Sequence, residues 1–443
     1  MKAKVEFIEK IFSTLNEQRI HYCILRNSEE VQNGDAHDID LSVDERDLIA
    51  FEQSLFQSAK ELGWTLHLLT GSAKDRFNIK CYHFYMSSGN EISIVHFDVF
   101  PTIIWKGYIL LGNNILMDNI DCSSKYHRVS REVEAVTKLF VRLIYNGKVK
   151  NKYKEYIKDV FAESGEKCKS LMQLFLEKDL SSKIYVDVIA EQWTIIENTR
   201  EACIRSIKRL CKTKKIQYLR YLIDKLNTKP GLMVVFEGTD GSGKSTIIEN
   251  LPIVLENTFP RDMIDYYHWR PAFIKKERKN KDGTPIVVSD PHGQKPYGYI
   301  KSFLKFMFFN LDYIIGYYMK INLQVAKGHL VVFDRYYYDY YLDKIRYRLK
   351  ISDKVITTFG KIIPKPDITF LLVGTPEVLY GRKKEISISE IKSQIDSIFR
   401  NKANFSNPCI INVDQSIQSV VKTVSLMILE QCSMNVHKVK EKK

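Results

Sequence analysis

Apolar residues recur at helical spacing from the start of the chain. Phe7, Ile8, Ile11, Phe12 and Leu15 share one face and predict an amphipathic helix. Short strand-like runs follow at Tyr22–Leu25, Ile39–Val43, Trp64–Leu69 and Ile92–Phe100, so residues 1–125 read as mixed α and β. From about 129 to 226 the pattern is helical throughout, with Val133, Val136, Leu139, Phe140 and Leu143 on one stripe. Asn227-Thr228-Lys229-Pro230-Gly231 then breaks it, since proline and glycine together end helices. We place the main boundary there: an α+β domain over 1–125, a helical region over 126–226, and a third part over 231–430.

Beyond Leu232 strands and helices alternate. Leu232–Phe236, Met263–Tyr267, Leu330–Phe333 and Ile368–Val373 are apolar along their length, as strands buried on both faces should be. The expectation is an α/β domain, a parallel sheet with flanking crossover helices. Lys275 to Gly283 carries seven charged residues in nine and reads as an exposed loop. The run Tyr336-Tyr337-Tyr338-Asp339-Tyr340-Tyr341 reads as packing and substrate contact.

The chemistry enters at Gly238-Thr239-Asp240-Gly241-Ser242-Gly243-Lys244-Ser245, which fits G-x-x-x-x-G-K-[ST] without a mismatch. Glycines let the backbone curl so that successive N–H groups point at phosphate oxygens, at the N-terminus of a helix starting with Thr246. Lys244 would neutralise the β- and γ-phosphates of a nucleotide triphosphate, and the Ser245 hydroxyl would bind Mg²⁺. A second apolar strand ends on Asp334-Arg335-Tyr336, placing a carboxylate at the C-terminal end of a central parallel strand, facing the crevice where ligands bind in open α/β folds. Asp334 can hold magnesium there, and Arg335 can clamp a phosphate. After Pro364-Lys365-Pro366-Asp367 and another strand, a helix from Pro376 carries Arg382, Lys383 and Lys384. Such cations can close over a transferring phosphate.

Taken in order, these motifs resemble the thymidylate kinase family over roughly residues 232–425, somewhat under half of the chain. The resemblance implies a kinase using ATP and Mg²⁺, with Lys244, Asp240, Arg335 and Arg382 as its catalytic group. It implies that Asp240 contacts the acceptor's sugar and that Asp334 and Arg335 serve the metal and the acceptor phosphate. Arg382 and Lys383 would assist transfer, because the phosphate loop lacks an arginine. Tyr336 would touch substrate, and a dimer is also implied. The sequence departs from the pattern at Tyr337-Tyr338-Asp339, where the family seats thymine, and at His268-Trp269-Arg270-Pro271, where Arg270 would keep a phosphate-binding role. A long insertion, Lys275 to Pro296, contains Asp290-Pro291-His292-Gly293. These departures resemble a divergent branch associated with bacterial surface-polysaccharide genes. The acceptor is then a nucleotide or a phosphorylated or hydroxylated sugar or polyol.

In the first part, Asp38-Ile39-Asp40 puts two carboxylates on one strand face, because side chains alternate. Asp98, within Ile94-Val95-His96-Phe97-Asp98-Val99-Phe100, brings a third. Three converging carboxylates can hold two Mg²⁺ ions for attack on an α-phosphate. This arrangement resembles the polymerase-beta type of nucleotidyltransferase, whose turn for the triphosphate corresponds here to Leu25-Arg26-Asn27-Ser28, without its glycine. The helical region then resembles the helical half of such enzymes.

Composition adjusts this picture only slightly. Lys and Arg number 67 against 53 Asp and Glu, a net charge of +14, which favours anionic partners of any kind. Nucleic acid is one such partner, and the basic stretch Arg205–Arg220 motivates a second reading, a sensor that uses nucleotide binding as a switch. No aromatic-plus-basic recognition module supports it. The eight cysteines form no C-x-x-C pair, which leaves reduced structural thiols. His96 and His292 are the histidines to watch. No apolar run approaches the ~18–20 residues of a membrane span and the N-terminus lacks a signal-peptide core, so the expected location is cytoplasmic.

Overall fold

The computed structural model describes residues 2–36, 38–68, 79–89, 91–214, 216, 218–219, 223, 230–274, 295–384 and 386–441. The chain divides into two compact units, one of Met1–Ser88 with Ser93–Asp224, the other of Gly89–Ile92 with Lys225–Lys443. The insertion motif around His292, and the breaker residues 227–229, lie outside the described residues.

In the first unit the strands are β1 (Tyr22–Ile24), β2 (Asp38–Val43), β3 (Thr65–Leu68), β4 (Lys80–Ser88), β5 (Glu91–Val99), β6 (Ile103–Trp105), β7 (Tyr108–Leu111), β8 (Ile120–Asp121) and β9 (Arg128–Val129). Seven of them form a mixed sheet in the order β3-β4-β5-β2-β1-β9-β8, and β6-β7 is a separate hairpin. The opening helix, Lys2–Glu17, buries the face read from its spacing. Its Phe7 ring stacks on Trp64 at 4.6 Å and meets Phe84 and Phe97 edge-on. Strand β4 has no counterpart in the sequence reading. Its stretch Cys81-Tyr82-His83-Phe84-Tyr85 is buried throughout, and the histidine interrupts what would otherwise be an apolar signal.

The helical stretch is broken into segments between Arg131 and Leu210. The first, Arg131–Asn146, ends where Gly147 takes a left-handed φ of 74° and returns its amide to Leu143. The expectation of helix through to 226 is broken at residues 211–214, and helix is found again at Ile216, Tyr218, Leu219 and Ile223. At the break Thr213 bridges Tyr108 and the Lys214 amide donates to the Gly107 carbonyl at 2.7 Å, so pairing with the β6-β7 turn replaces helix. The basic stretch is therefore interrupted after Leu210 and helical again at Ile216, Tyr218 and Leu219, and Lys215 and Arg220 fall outside the described residues.

The second unit is built on β10 (Leu232–Gly238), β11 (Ile264–His268), β12 (Leu330–Asp334), β13 (Ile368–Val373) and β14 (Pro408–Asn412), all parallel, in the order β11-β12-β10-β13-β14. Helices Lys244–Leu255, Tyr299–Gly316, Ile388–Arg400 and Ile417–Glu441 belong to the same unit. Strands β10 and β12 are buried along their length and β13 up to Leu372, as apolar strands between helix layers must be. Strand β11 corrects the reading of Met263–Tyr267 as buried on both faces. It is the sheet edge, with Tyr266 half exposed. The other edge, β14, begins on Pro408, which has no amide to offer a ladder and is tolerated there. Among the described residues, no helix is long and apolar enough to cross a membrane.

Candidate active site

The phosphate loop leaves the end of β10 and enters the helix Lys244–Leu255. Gly241 and Gly243 hold φ of 82° and 81°, a region that side-chain-bearing residues avoid. A Cβ on Gly241 would also stand 2.5 Å from the Leu379 carbonyl, so this glycine allows the helix Pro376–Arg382 to close over the loop. Lys244 is buried and folds back on its own loop. Its Nζ donates to the carbonyls of Gly238 at 2.8 Å and Thr239 at 2.9 Å, with Ser242 Oγ at 3.4 Å. Burial, and then the nearby Arg335 guanidinium, depress its pKa to about 8. Ser245 and Thr246 are exposed at the start of the helix.

Strand β12 delivers Asp334 beside this loop, because Phe236 and Asp334 are register partners across β10 and β12. Asp334 is buried. Its Oδ2 accepts from Tyr266 at 3.4 Å, whereas Oδ1 has no hydrogen-bond partner among the described residues. A buried carboxylate oxygen left this way fits a cation-binding role. Arg335 follows in a left-handed conformation, φ 68°, its amide returned to the Phe236 carbonyl at 2.9 Å. Strain of this kind persists only where surrounding contacts enforce it. Its guanidinium bridges Asp339 at 2.6 Å and Asp240 at 2.7 Å. The second oxygen of Asp240 is held by Arg346, and Tyr347 donates to Asp339 at 2.5 Å. Burial alone would raise the Asp240 pKa, yet Arg335, Arg346 and Lys244 together keep it below the usual carboxylate range. Glu237 goes the other way: burial, then Asp339, push it well up, while its Oε1 accepts the Tyr336 amide.

Three expectations are corrected. Tyr336 is buried in the core, its hydroxyl donating to the Pro364 carbonyl at 3.0 Å. The tyrosine run packs against Tyr313, Phe306 and Phe405 rather than facing substrate. Arg270 is likewise buried. It pairs with Asp312 at 2.7 Å, and Asp312 also accepts the amides of Ala272 and Ile274, so the pair shapes the loop after β11. Arg382 closes its helix and donates to the Val413 carbonyl at 2.9 Å, whereas the neighbouring Lys383 has its Cβ 3.4 Å from where a side chain on Gly241 would begin. Reasoning from sequence missed Arg346, Asp339 and Tyr347. Only Asp339 carried a signal, its place four residues after Arg335 within the tyrosine run.

In the first unit, parallel pairing of β2 with β5 sets Asp38 beside His96 and Asp40 beside Asp98, so the three carboxylates do share one face. Each nevertheless meets a base. Asp40 is bound by Arg26, Asp38 accepts from His96 Nδ1 at 2.8 Å, and Asp98 lies 3.4 Å from His83 Nε2. Asn27 stands in a left-handed conformation, φ 55°, where the resemblance would put glycine. A cavity of about 230 Å³ opens beside Asp40, lined in part by Arg26, Lys138, Arg142, Tyr145 and Tyr153.

No family model matches the chain. The thymidylate kinase of Buchnera aphidicola is 27% identical over 229 residues, 47% of this chain and 91% of that protein. A probable thymidylate kinase of Pyrobaculum aerophilum is 28% identical over 159 residues, 34% of this chain and 69% of its own. One of Archaeoglobus fulgidus is 28% identical over 157 residues, 35% and 70%. A solved thymidylate kinase from Ehrlichia chaffeensis is 16% identical and covers 45% of this chain and 98% of its own, with a TM-score of 0.29. Over roughly a third to a half of its length, the chain is a homologue of thymidylate kinases.

Proposed function

We propose that the second unit is a phosphotransferase of the nucleoside-monophosphate-kinase type, moving the γ-phosphoryl group of ATP to a nucleotide or to a sugar or polyol phosphate. The observation that carries this reading is the convergence of the Lys244 loop with Asp334 and the Arg335–Asp240–Arg346 network at one end of the sheet. The residues present fit Mg²⁺–ATP. The glycine loop offers inward amides, Ser245 and Asp334 would hold the metal, and the metal when bound would neutralise phosphate charge. Lys244 trades its loop carbonyls for phosphate oxygens and stabilises the charge that spreads during transfer. Arg335 and Arg346, fixed by Asp240 and Asp339, present a preoriented cationic wall to the acceptor. Lys383, above Gly241, supplies lid charge in place of Arg382. Little covalent chemistry is asked of the protein; positioning and charge carry the rate.

The test is ATP turnover against a panel of nucleoside monophosphates and phosphosugars. Lys244→Ala should abolish turnover with whichever acceptor is found, and a variant as active as the parent overturns the assignment. We propose further that the first unit is a degenerate nucleotidyltransferase that binds a phosphate-bearing ligand. The cavity beside Asp40, with Arg26, Lys138 and Arg142 in its wall, supports this. Retained metal-dependent nucleotidyl transfer would require Asp38, Asp40 and Asp98 to exchange their present bases for magnesium. Affinity of the Lys244→Ala protein for triphosphate or phosphosugars, lost on Arg142→Ala, is the expected result.

A further inference from the structure

The face of the first sheet that carries the carboxylates also carries three histidines on three successive strands: His67 on β3, His83 on β4 and His96 on β5. All three are buried, with no more than 7% of any residue exposed. Each offers a ring nitrogen within 4.8 Å of the other two. His67 enters the group through a register shift between Leu66 and Leu68, the kind of bulge that re-aims a side chain in a sheet. His83 Nδ1 and His96 Nε2 are buried without a hydrogen-bond partner among the described residues, although burying such atoms bare is unfavourable. The opposite nitrogens are already committed, His96 Nδ1 to Asp38 and His83 Nε2 to Asp98. A carboxylate on one ring nitrogen, leaving the other to donate inward, is the arrangement that orients metal-binding imidazoles.

We propose that His67, His83 and His96 form a binding site for a divalent transition metal of the zinc class, with Asp38 and Asp98 as the positioning residues of its imidazoles. Three neutral nitrogen donors suit zinc, cobalt or copper and are poor ligands for magnesium, which takes oxygen. Three imidazoles also leave one coordination position open, as at zinc sites that handle a ligand. The rings of His83 and His96 stack 3.6 Å apart, 11° from parallel. A nitrogen donates in the plane of its ring, so loading the ion turns one ring out of this stack. The site is independent of the phosphate loop, and its test is independent of kinase activity.

Full-length protein, stripped with a chelator, is titrated with Co²⁺ and followed by visible d–d absorption; zinc-loaded protein is measured by X-ray absorption. The expected result is one bound ion per chain, with imidazole scattering and no sulfur in the zinc spectrum. His67→Ala and His96→Ala should each abolish the cobalt bands, whereas Lys244→Ala and Cys81→Ser leave them unchanged. Asp38→Asn should weaken metal affinity by roughly 10–100-fold. Failure of the parent protein to take up either ion overturns the proposal. So does sulfur in the zinc spectrum, or loss of the bands in Cys81→Ser with retention in His67→Ala. Those last outcomes place the ion instead on the overlapping group Cys81, His83 and Asp98.

Discussion

Lys244 without a ligand is held by its own loop carbonyls, in a burial that depresses its pKa to about 8 from an ordinary 10.5. Phosphate favours the charged amine, so above pH 8 nucleotide binding must take up a proton. Affinity for ATP should be flat below that value and fall by up to about tenfold per pH unit above it, since each unit is worth about 1.4 kcal/mol. Calorimetry in buffers of different ionisation enthalpy reads the proton directly, and Lys244→Met should flatten the profile. Arg346→Met should leave ATP affinity near that of the parent while raising KM for the acceptor, because Arg346 reaches the nucleotide loop only through Asp240. The phosphate loop was legible in the sequence because phosphate binding demands glycine, lysine and hydroxyl at fixed spacing. Arg346 was not, lying on a short turn where no repeating contact marks it. Tyr336 was misread because an aromatic residue beside a ligand strand has the same signature as one packed beneath it.

Elements were legible where both faces of a strand are apolar, as in β10, β12 and β13. They were illegible where polar residues are buried, as in β4. Helix ends set by tertiary pairing, such as the exit at Cys211, leave no periodic trace. At this scale the pair Arg270–Asp312 joins the loop after β11 to the helix Tyr299–Gly316. Asp312→Ala would leave a buried guanidinium without this partner and two amides without their acceptor. It should lower stability by about 3–5 kcal/mol in urea unfolding. Gly241→Ala should be milder in stability, about 1–3 kcal/mol of backbone strain. It should be severe in binding, since the new methyl meets the Leu379 carbonyl at 2.5 Å and pushes the lid helix off the loop.

For the whole molecule, two compact units imply two unfolding transitions rather than one. A nucleotide that binds the second unit should raise only that unit's transition. At a concentration of 100 times Kd the gain is about 2.7 kcal/mol. Scanning calorimetry with and without Mg²⁺–ATP checks this, and Lys244→Ala should cancel the shift. A net charge of +14 is compatible with anionic ligands in both units, and the cations named in each belong to formed sites: Arg26 on Asp40 in one, Arg335 and Arg346 on Asp240 in the other.

The central strand of the second sheet is also the first one made. On the ribosome β10 emerges about 90 residues before β12, its neighbour on one side, and still further ahead of β13 on the other. At ~5–20 residues per second, Leu232–Phe236 waits on the order of 5–20 s with both ladders open. A strand this apolar, with unpaired edges, is a template for association between nascent chains. Slowing translation between residues 240 and 330 should therefore increase aggregation of the newly made protein, and a chaperone that holds short apolar segments should suppress it.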